Sequence, residues 1–135
     1  MELLKWTDDY SVGIVIIDYQ HKRLVMLINK LYDSMLEGKT MESITEIFEG
    51  LEDYIKNHFE TEESFFKEFN YEDMKTHIKE HKVFVDQISQ LKKDYLSGKN
   101  TVSVELLDFL KNWLSEHILG SDKKYISCFK ENGVI

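Results

Sequence analysis

Proline is absent from all 135 residues and glycine appears only six times, so nothing in the chain forbids long uninterrupted helices. Cys128 is the only cysteine. An intrachain disulfide and a thiolate-built metal cluster are both excluded, which suits a reducing cytoplasm. Basic residues are scarce as well: 17 Lys and Arg against 25 Asp and Glu leave a formal net charge of -8. A nucleic-acid or anionic-membrane partner would need a clustered basic surface, so neither is expected. The apolar run Val12-Gly-Ile-Val-Ile-Ile17 falls far short of the about 20 residues that span a bilayer. Met1 to Trp6 also lacks the basic and apolar regions of a signal peptide. The length fits one domain with a sizeable core, residues 1–135.

What the chain does have is histidine in a pattern. All five histidines fall in with two carboxylates: His21, then His58-x-x-x-Glu62, then His77-x-x-x-His81, then His117-x-x-x-x-Asp122. Residues four apart on a helix share a face, with Cβ atoms roughly 5–6 Å apart, close enough to serve one centre. Five imidazoles and two carboxylates exceed the four ligands of a tetrahedral zinc, and they are too rich in nitrogen for calcium or magnesium. The set fits two ions. If Glu62 and Asp122 each bridge the pair, and a solvent-derived oxo or hydroxo group completes the bridge, three histidines saturate one ion while two leave the other with a vacancy. Two irons per chain are the expected cofactor, and an open position is where a small ligand binds.

The ligand-type residues lie on apolar stripes of helical period. Leu24, Ile28, Leu31 and Met35 follow His21; Ile44, Ile47, Leu51 and Ile55 lead to His58 and Glu62; Phe84, Ile88 and Leu91 follow His81; Leu106, Leu110 and Trp113 lead to His117. Helices are therefore expected over about 18–37, 41–66, 73–96 and 102–119, with a short final helix over about 121–130. Gly50 weakens the second without breaking its stripe. Short connections between long amphipathic helices imply antiparallel neighbours, hence an all-α, up-down-up-down four-helix bundle. Residues 1–17 lack a helical stripe and read as an extended arm. Polar residues recurring on the buried face of all four helices must be satisfied there or destabilise the core.

Other metal motifs fit less well. His77-Ile-Lys-Glu80-His81 matches the H-x-x-E-H of inverted zinc peptidases, but that reading leaves His21, His58 and His117 unused and takes Glu80 off the stripe. Glu80 reads as solvent-facing. Carboxylate-rich di-iron proteins need Glu-x-x-His on two helices, and none occurs here. Histidine-dominated ligation leaves less negative charge to support high-valent iron, which favours reversible binding over oxygen activation.

The chain resembles the hemerythrins, specifically the single-domain bacterial or archaeal type, over nearly its full length. The residues that carry the resemblance are Trp6 with Asp18-Tyr-Gln-His21-Lys, His58-Phe-Glu-Thr-Glu62-Glu, His77-x-x-x-His81, and Trp113-Leu-Ser-Glu-His117-Ile-Leu-Gly-Ser-Asp122-Lys-Lys-Tyr125. One local departure is Asn70-Tyr-Glu72, where relatives often have tyrosine followed by proline. The resemblance implies that His77, His81 and His117 hold the saturated iron, that His21 and His58 hold the open one, and that Glu62 and Asp122 bridge them. It also implies reversible dioxygen binding by a carrier, store or buffer that is not an enzyme. The alternatives are a di-iron enzyme consuming O2, peroxide or nitric oxide, and an iron storage or sensing protein; a separate protein partner or reductant stays open. An apolar lining must keep water from the open position. Leu114, one turn before His117, is the expected gate, with Trp113, Ile118, Phe59 and Leu24 as walls. Tyr125 and Asp18 are candidates to orient the ligands by hydrogen bonding. Gln20 and Glu63 read as surface residues, and Cys128 as a small apolar filler.

Overall fold

A computed structural model describes residues 3–134; Met1 and Glu2 of the expected arm, and Ile135, lie outside the described residues. The chain forms an all-α, up-down-up-down antiparallel four-helix bundle with an N-terminal arm and a short C-terminal helix. Helix α1 is Val15–Leu36. Helix α2 spans residues 40–68, in three parts: Thr40–Tyr54, a π-helical stretch Ile55–Phe59, and Glu60–Glu68. Helix α3 is Met74–Leu96. Helix α4 spans residues 102–124, as Val102–Trp113, a second π-helical stretch Leu114–Ser121, and Asp122–Lys124. Helix α5 is Ile126–Glu131.

Two boundaries differ from the sequence expectation. Helix α1 starts three residues before the expected Asp18 because the extended N-cap Ile14 and, in the first turn, Ile17 are both wholly buried, while Val15 and Ile16 are exposed. Packing sets that start. The fourth helix does not stop at Gly120: it continues as wider turns to Lys124, and the kink before α5 falls at Tyr125. The arm is pinned rather than loose. The Leu4 N–H donates to Asn29 Oδ1 at 2.8 Å and Asn29 Nδ2 donates back to the Leu4 carbonyl at 2.8 Å, while the Lys22 ammonium sits 5.3 Å from the Trp6 ring centre.

The turns are written in backbone chemistry. At the end of α1, Gly38 takes φ +69 and the Lys39 N–H reaches the Ser34 carbonyl at 2.8 Å, closing the helix in a left-handed cap. Asn70 does the same for α2 at φ +51, with the Tyr71 N–H on the Phe66 carbonyl at 2.9 Å. Asparagine is among the few side chains that tolerate this region.

Two apolar clusters make the core. The larger contains Leu24, Ile28, Leu51, Phe59, Phe84, Leu110, Leu114 and Ile118, and the smaller Ile14, Ile17, Phe66, Tyr71, Tyr125 and Phe129. On α1, His21 falls between Ile17 of the smaller and Leu24 of the larger. On α2, Glu62 falls between Phe59 and Phe66, and the α3 pair His77 and His81 falls between Tyr71, in the turn before α3, and Phe84. One polar layer thus divides two greasy ones.

Candidate metal centre

His58 and His117 both lie in the π-helical stretches. A π-helix closes its bonds from i to i+5 in place of i to i+4. At 3.6 residues per turn, a five-residue step in an α-helix ends about 140° round from its start, which would turn Asp122 away from His117. The wider turns bring it back. Asp122 Oδ1 lies 3.0 Å from His117 Nε2.

All seven sequence-expected residues meet in the polar layer, and none is more than 3% exposed. Asp122 Oδ1 is also 2.8 Å from His77 Nε2, and Asp122 Oδ2 is 2.9 Å from His21 Nε2. Glu62 Oε1 stands 3.1 Å from His58 Nε2, 3.0 Å from His81 Nε2 and 3.8 Å from His77 Nε2. The ligand-type atoms sort into two sets, Glu62 with His77, His81 and His117, and Glu62 with His21, His58 and Asp122, each set within 4.8 Å of mutual reach. Glu62 belongs to both.

A bound cation is what this arrangement is suited to. Both oxygens of Glu62 and of Asp122, and Nε2 of His77, His81 and His117, are buried without a hydrogen-bond partner. Such orphaning is costly in a metal-free core. Electron-pair donors collected without hydrogen-bond geometry suit cations held between them, and the nitrogen and oxygen mixture suits first-row transition ions.

A family model for the hemerythrin HHE cation binding domain matches residues 12–129. The chain belongs to the hemerythrin family. It is 36% identical over 132 residues to bacteriohemerythrin of Pseudomonas aeruginosa, covering 98% of this chain and 85% of that one. Bacteriohemerythrin of Methylococcus capsulatus is 32% identical over 129 residues, covering 95% and 98%. A crystal structure of wild-type hemerythrin matches with a TM-score of 0.83 and 31% identity over 93% of this chain and 97% of that one.

The hemerythrin-type centre here carries an electrostatic signature. Burial alone would lower the pKa of His77 and His117, but the adjoining Asp122 and Glu62 carboxylates prevail and raise each to about 9. His58 goes the other way, since burial lowers it by more than Glu62 restores. Burial pushes both carboxylates upward, and Glu62 adds to this for Asp122, yet the surrounding imidazoles hold Glu62 and Asp122 well below the usual carboxylate range.

The expected pocket residues are all buried. Leu24, Phe59, Leu114 and Ile118 belong to the larger apolar cluster, together with Trp113. Two of them also brace ligand-type rings: Phe59 stacks on His81 with centroids 3.8 Å apart, and Trp113 stacks on His117 at 3.9 Å. Tyr125 is fully buried, its ring 5.7 Å from that of His77.

Four expectations are corrected by the geometry. Asp18 does not face the centre; it accepts from the Val12 N–H at 2.8 Å and the Ser11 hydroxyl at 2.5 Å, tying the arm to α1. Gln20, Glu63 and Glu80, read as surface residues, instead stand behind three histidines. Gln20 Oε1 is 2.7 Å from His58 Nδ1, Glu63 Oε2 is 2.8 Å from His81 Nδ1, and Glu80 Oε2 is 3.3 Å from His117 Nδ1. Each is one position away from a ligand-type residue in sequence, about 100° round the helix. That neighbourhood is the only signal the sequence offered, and polar residues flank the stripe of any amphipathic helix. A cleft of about 1030 Å³ runs along α1 and α2 past Gln20, on the outer side of His58.

Proposed function

We propose that this hemerythrin-family chain binds dioxygen reversibly at a di-iron centre, as a carrier, store or buffer. The supporting observation is the division of seven buried donors into two sets that share Glu62. His77, His81 and His117 would hold one iron and His21 and His58 the other, with Glu62 and Asp122 in contact with both. A diferrous pair held there would supply the two electrons needed to bind dioxygen and would recover them on its release.

The chain's own residues do the rest. With three histidines on one side and two on the other, ligand binding is directed to the two-histidine side. Leu24, Phe59, Leu114, Ile118 and Trp113, all in the larger cluster, give one side of the layer an apolar wall, which would exclude the water and anions that make oxidation irreversible. Stacking of Phe59 and Trp113 holds the His81 and His117 rings in place. Among the described residues no helix is long and apolar enough to cross a membrane, and the free thiol of Cys128 suits a reducing cytoplasm.

Stopped-flow mixing of anaerobically iron-loaded protein with O2, followed by repeated deoxygenation, tests the proposal. Metal analysis should give about two irons per chain, and the ferrous spectrum should return over many cycles. Rapid stoichiometric oxidation sustained by a reductant would instead mark an enzyme.

A further inference from the structure

We propose that Gln20, Glu63 and Glu80 are positioning residues that make the two halves of the centre unequal, so that the three-histidine half fills first and holds its ion more tightly. This deepens the di-metal reading above and rests on it.

Each of the three stands on the outward nitrogen of a histidine whose Nε2 faces the centre. A carboxylate oxygen or an amide oxygen can only accept, so His58 and His81 carry a proton on Nδ1 and their Nε2 atoms are left to face the centre, that of His58 lying 3.0 Å from His21 Nε2. The orientation of the Gln20 amide is itself fixed. The Thr61 hydroxyl donates to the Asn57 carbonyl at 2.7 Å, so it accepts from Gln20 Nε2 at 3.1 Å, and Oε1 is left to face His58. Glu80 approaches His117 as an ionic neighbour, its other oxygen held by the Ser121 hydroxyl at 2.9 Å.

The distribution of charge among these partners is lopsided. Two carboxylates back His81 and His117, both in the set with His77. In the other set His58 has a neutral amide, and Nδ1 of His21, which like that of His117 makes no hydrogen bond, has no carboxylate within ion-pair distance among the described residues. A carboxylate behind an imidazole makes it a stronger electron donor to a metal, whereas an amide fixes the ring without adding charge. One half is therefore both better supplied with histidines and better supported from behind.

The test is a stepwise titration of the metal-free protein with cobalt(II) against a chromophoric chelator, read by both the chelator and the cobalt absorption bands. Wild type should take up two ions in steps at least tenfold apart. Glu63→Gln and Glu80→Gln, near-isosteric changes at partly exposed positions, should each weaken the first step about 10–100-fold, the usual cost of losing such a partner. Gln20→Glu should strengthen the second step and narrow the gap, while Gln20→Leu should weaken it. Opposite signs from two replacements of similar size are not what a packing role gives. Equal steps in wild type, a first step within threefold of wild type in both glutamate variants, or a Gln20→Glu effect of the same sign as Gln20→Leu would each overturn the proposal. Uptake of fewer than two ions by wild type would overturn the di-metal reading itself, and this inference with it.

Discussion

Stripping the metal should invert the pH dependence of stability. In the metal-free chain, His77 and His117 are raised to about 9 by Asp122 and Glu62 despite burial, against about 6.5 in the unfolded chain. A raised folded-state pKa gives stability that is complete below the unfolded value and lost as the pH climbs through the folded one. The window is therefore about pH 6.5 to 9. A rise of roughly two units is worth about 3 kcal/mol, and because both histidines draw on the same two carboxylates, the pair together contributes on the order of 3 kcal/mol rather than twice that. For a domain of this size that is about 10 °C in Tm. Glu62 and Asp122 work at the acid end: their depressed pKa values give stability present above about pH 4 and lost below it. The loaded protein behaves oppositely over the alkaline window, since metal binds the deprotonated ligands and gains as protons leave. Thermal melts with and without chelator at pH 6, 7.5 and 9 should show the gap between loaded and stripped protein widening with pH, driven mainly by a falling stripped Tm. A stripped Tm that holds constant or rises from pH 6.5 to 9 would refute the assignment of these histidines to a carboxylate-lined core.

Leu114→Ala should retain both metal ions and cost about 2–5 kcal/mol as a buried truncation, while speeding decay of the oxygenated protein and easing azide entry; unchanged autoxidation would make Leu114 core packing only. Asn70→Ala should cost about 1–2 kcal/mol in denaturant melts because its φ of +51 suits few side chains, and Asn70→Gly should be close to neutral. At Gly50, an added Cβ would meet the Leu27 Cδ2 at 2.6 Å. Gly50→Ala should then change stability little, the gain in helix propensity of about 1 kcal/mol offsetting a shift of the Leu27 tip, whereas Gly50→Val should lower Tm.

The bundle and the seven clustered side chains were legible in the sequence because both depend on period. His21, Leu24, Ile28 and Leu31 at steps of three and four can only line one side of α1. Boundaries were less legible, since Ile14 and Ile17 start α1 early through a burial that no local signal announces. The partners of the histidines are hidden in the sequence for a related reason. Gln20, Glu63 and Glu80 are the kind of residue expected on a solvated face, and only the placement of α1, α2 and α3 against one another decides which flanking residue meets a ring.

The π-helical stretches had a sequence signature of their own. Tyr54, His58, Glu62 and Phe66 are buried at three successive steps of four, and so are Leu110, Leu114, Ile118 and Asp122. In a plain α-helix three such steps drift about 120° round the axis, enough to carry the last residue off the buried face. The α3 stripe His77, His81, Phe84, Ile88 and Leu91 alternates four and three and needs no correction. Each run of fours coincides with a wide turn, Ile55–Phe59 or Leu114–Ser121, that absorbs one extra residue. Removing one residue should therefore repair the helix and damage the centre. Deletion of the exposed Lys56 leaves a stripe of three, four and four that an α-helix satisfies, so the stripped protein should melt at or above the wild-type temperature. His58 would keep its four-residue spacing to Glu62 but, without the wide turn, would shift relative to His21 on α1, and the two-histidine half should lose its ion while the three-histidine half keeps one. Metal content of about one per chain with an intact fold is the expected result. Two ions at wild-type affinity in the deletion variant would show that the wide turn does not place His58.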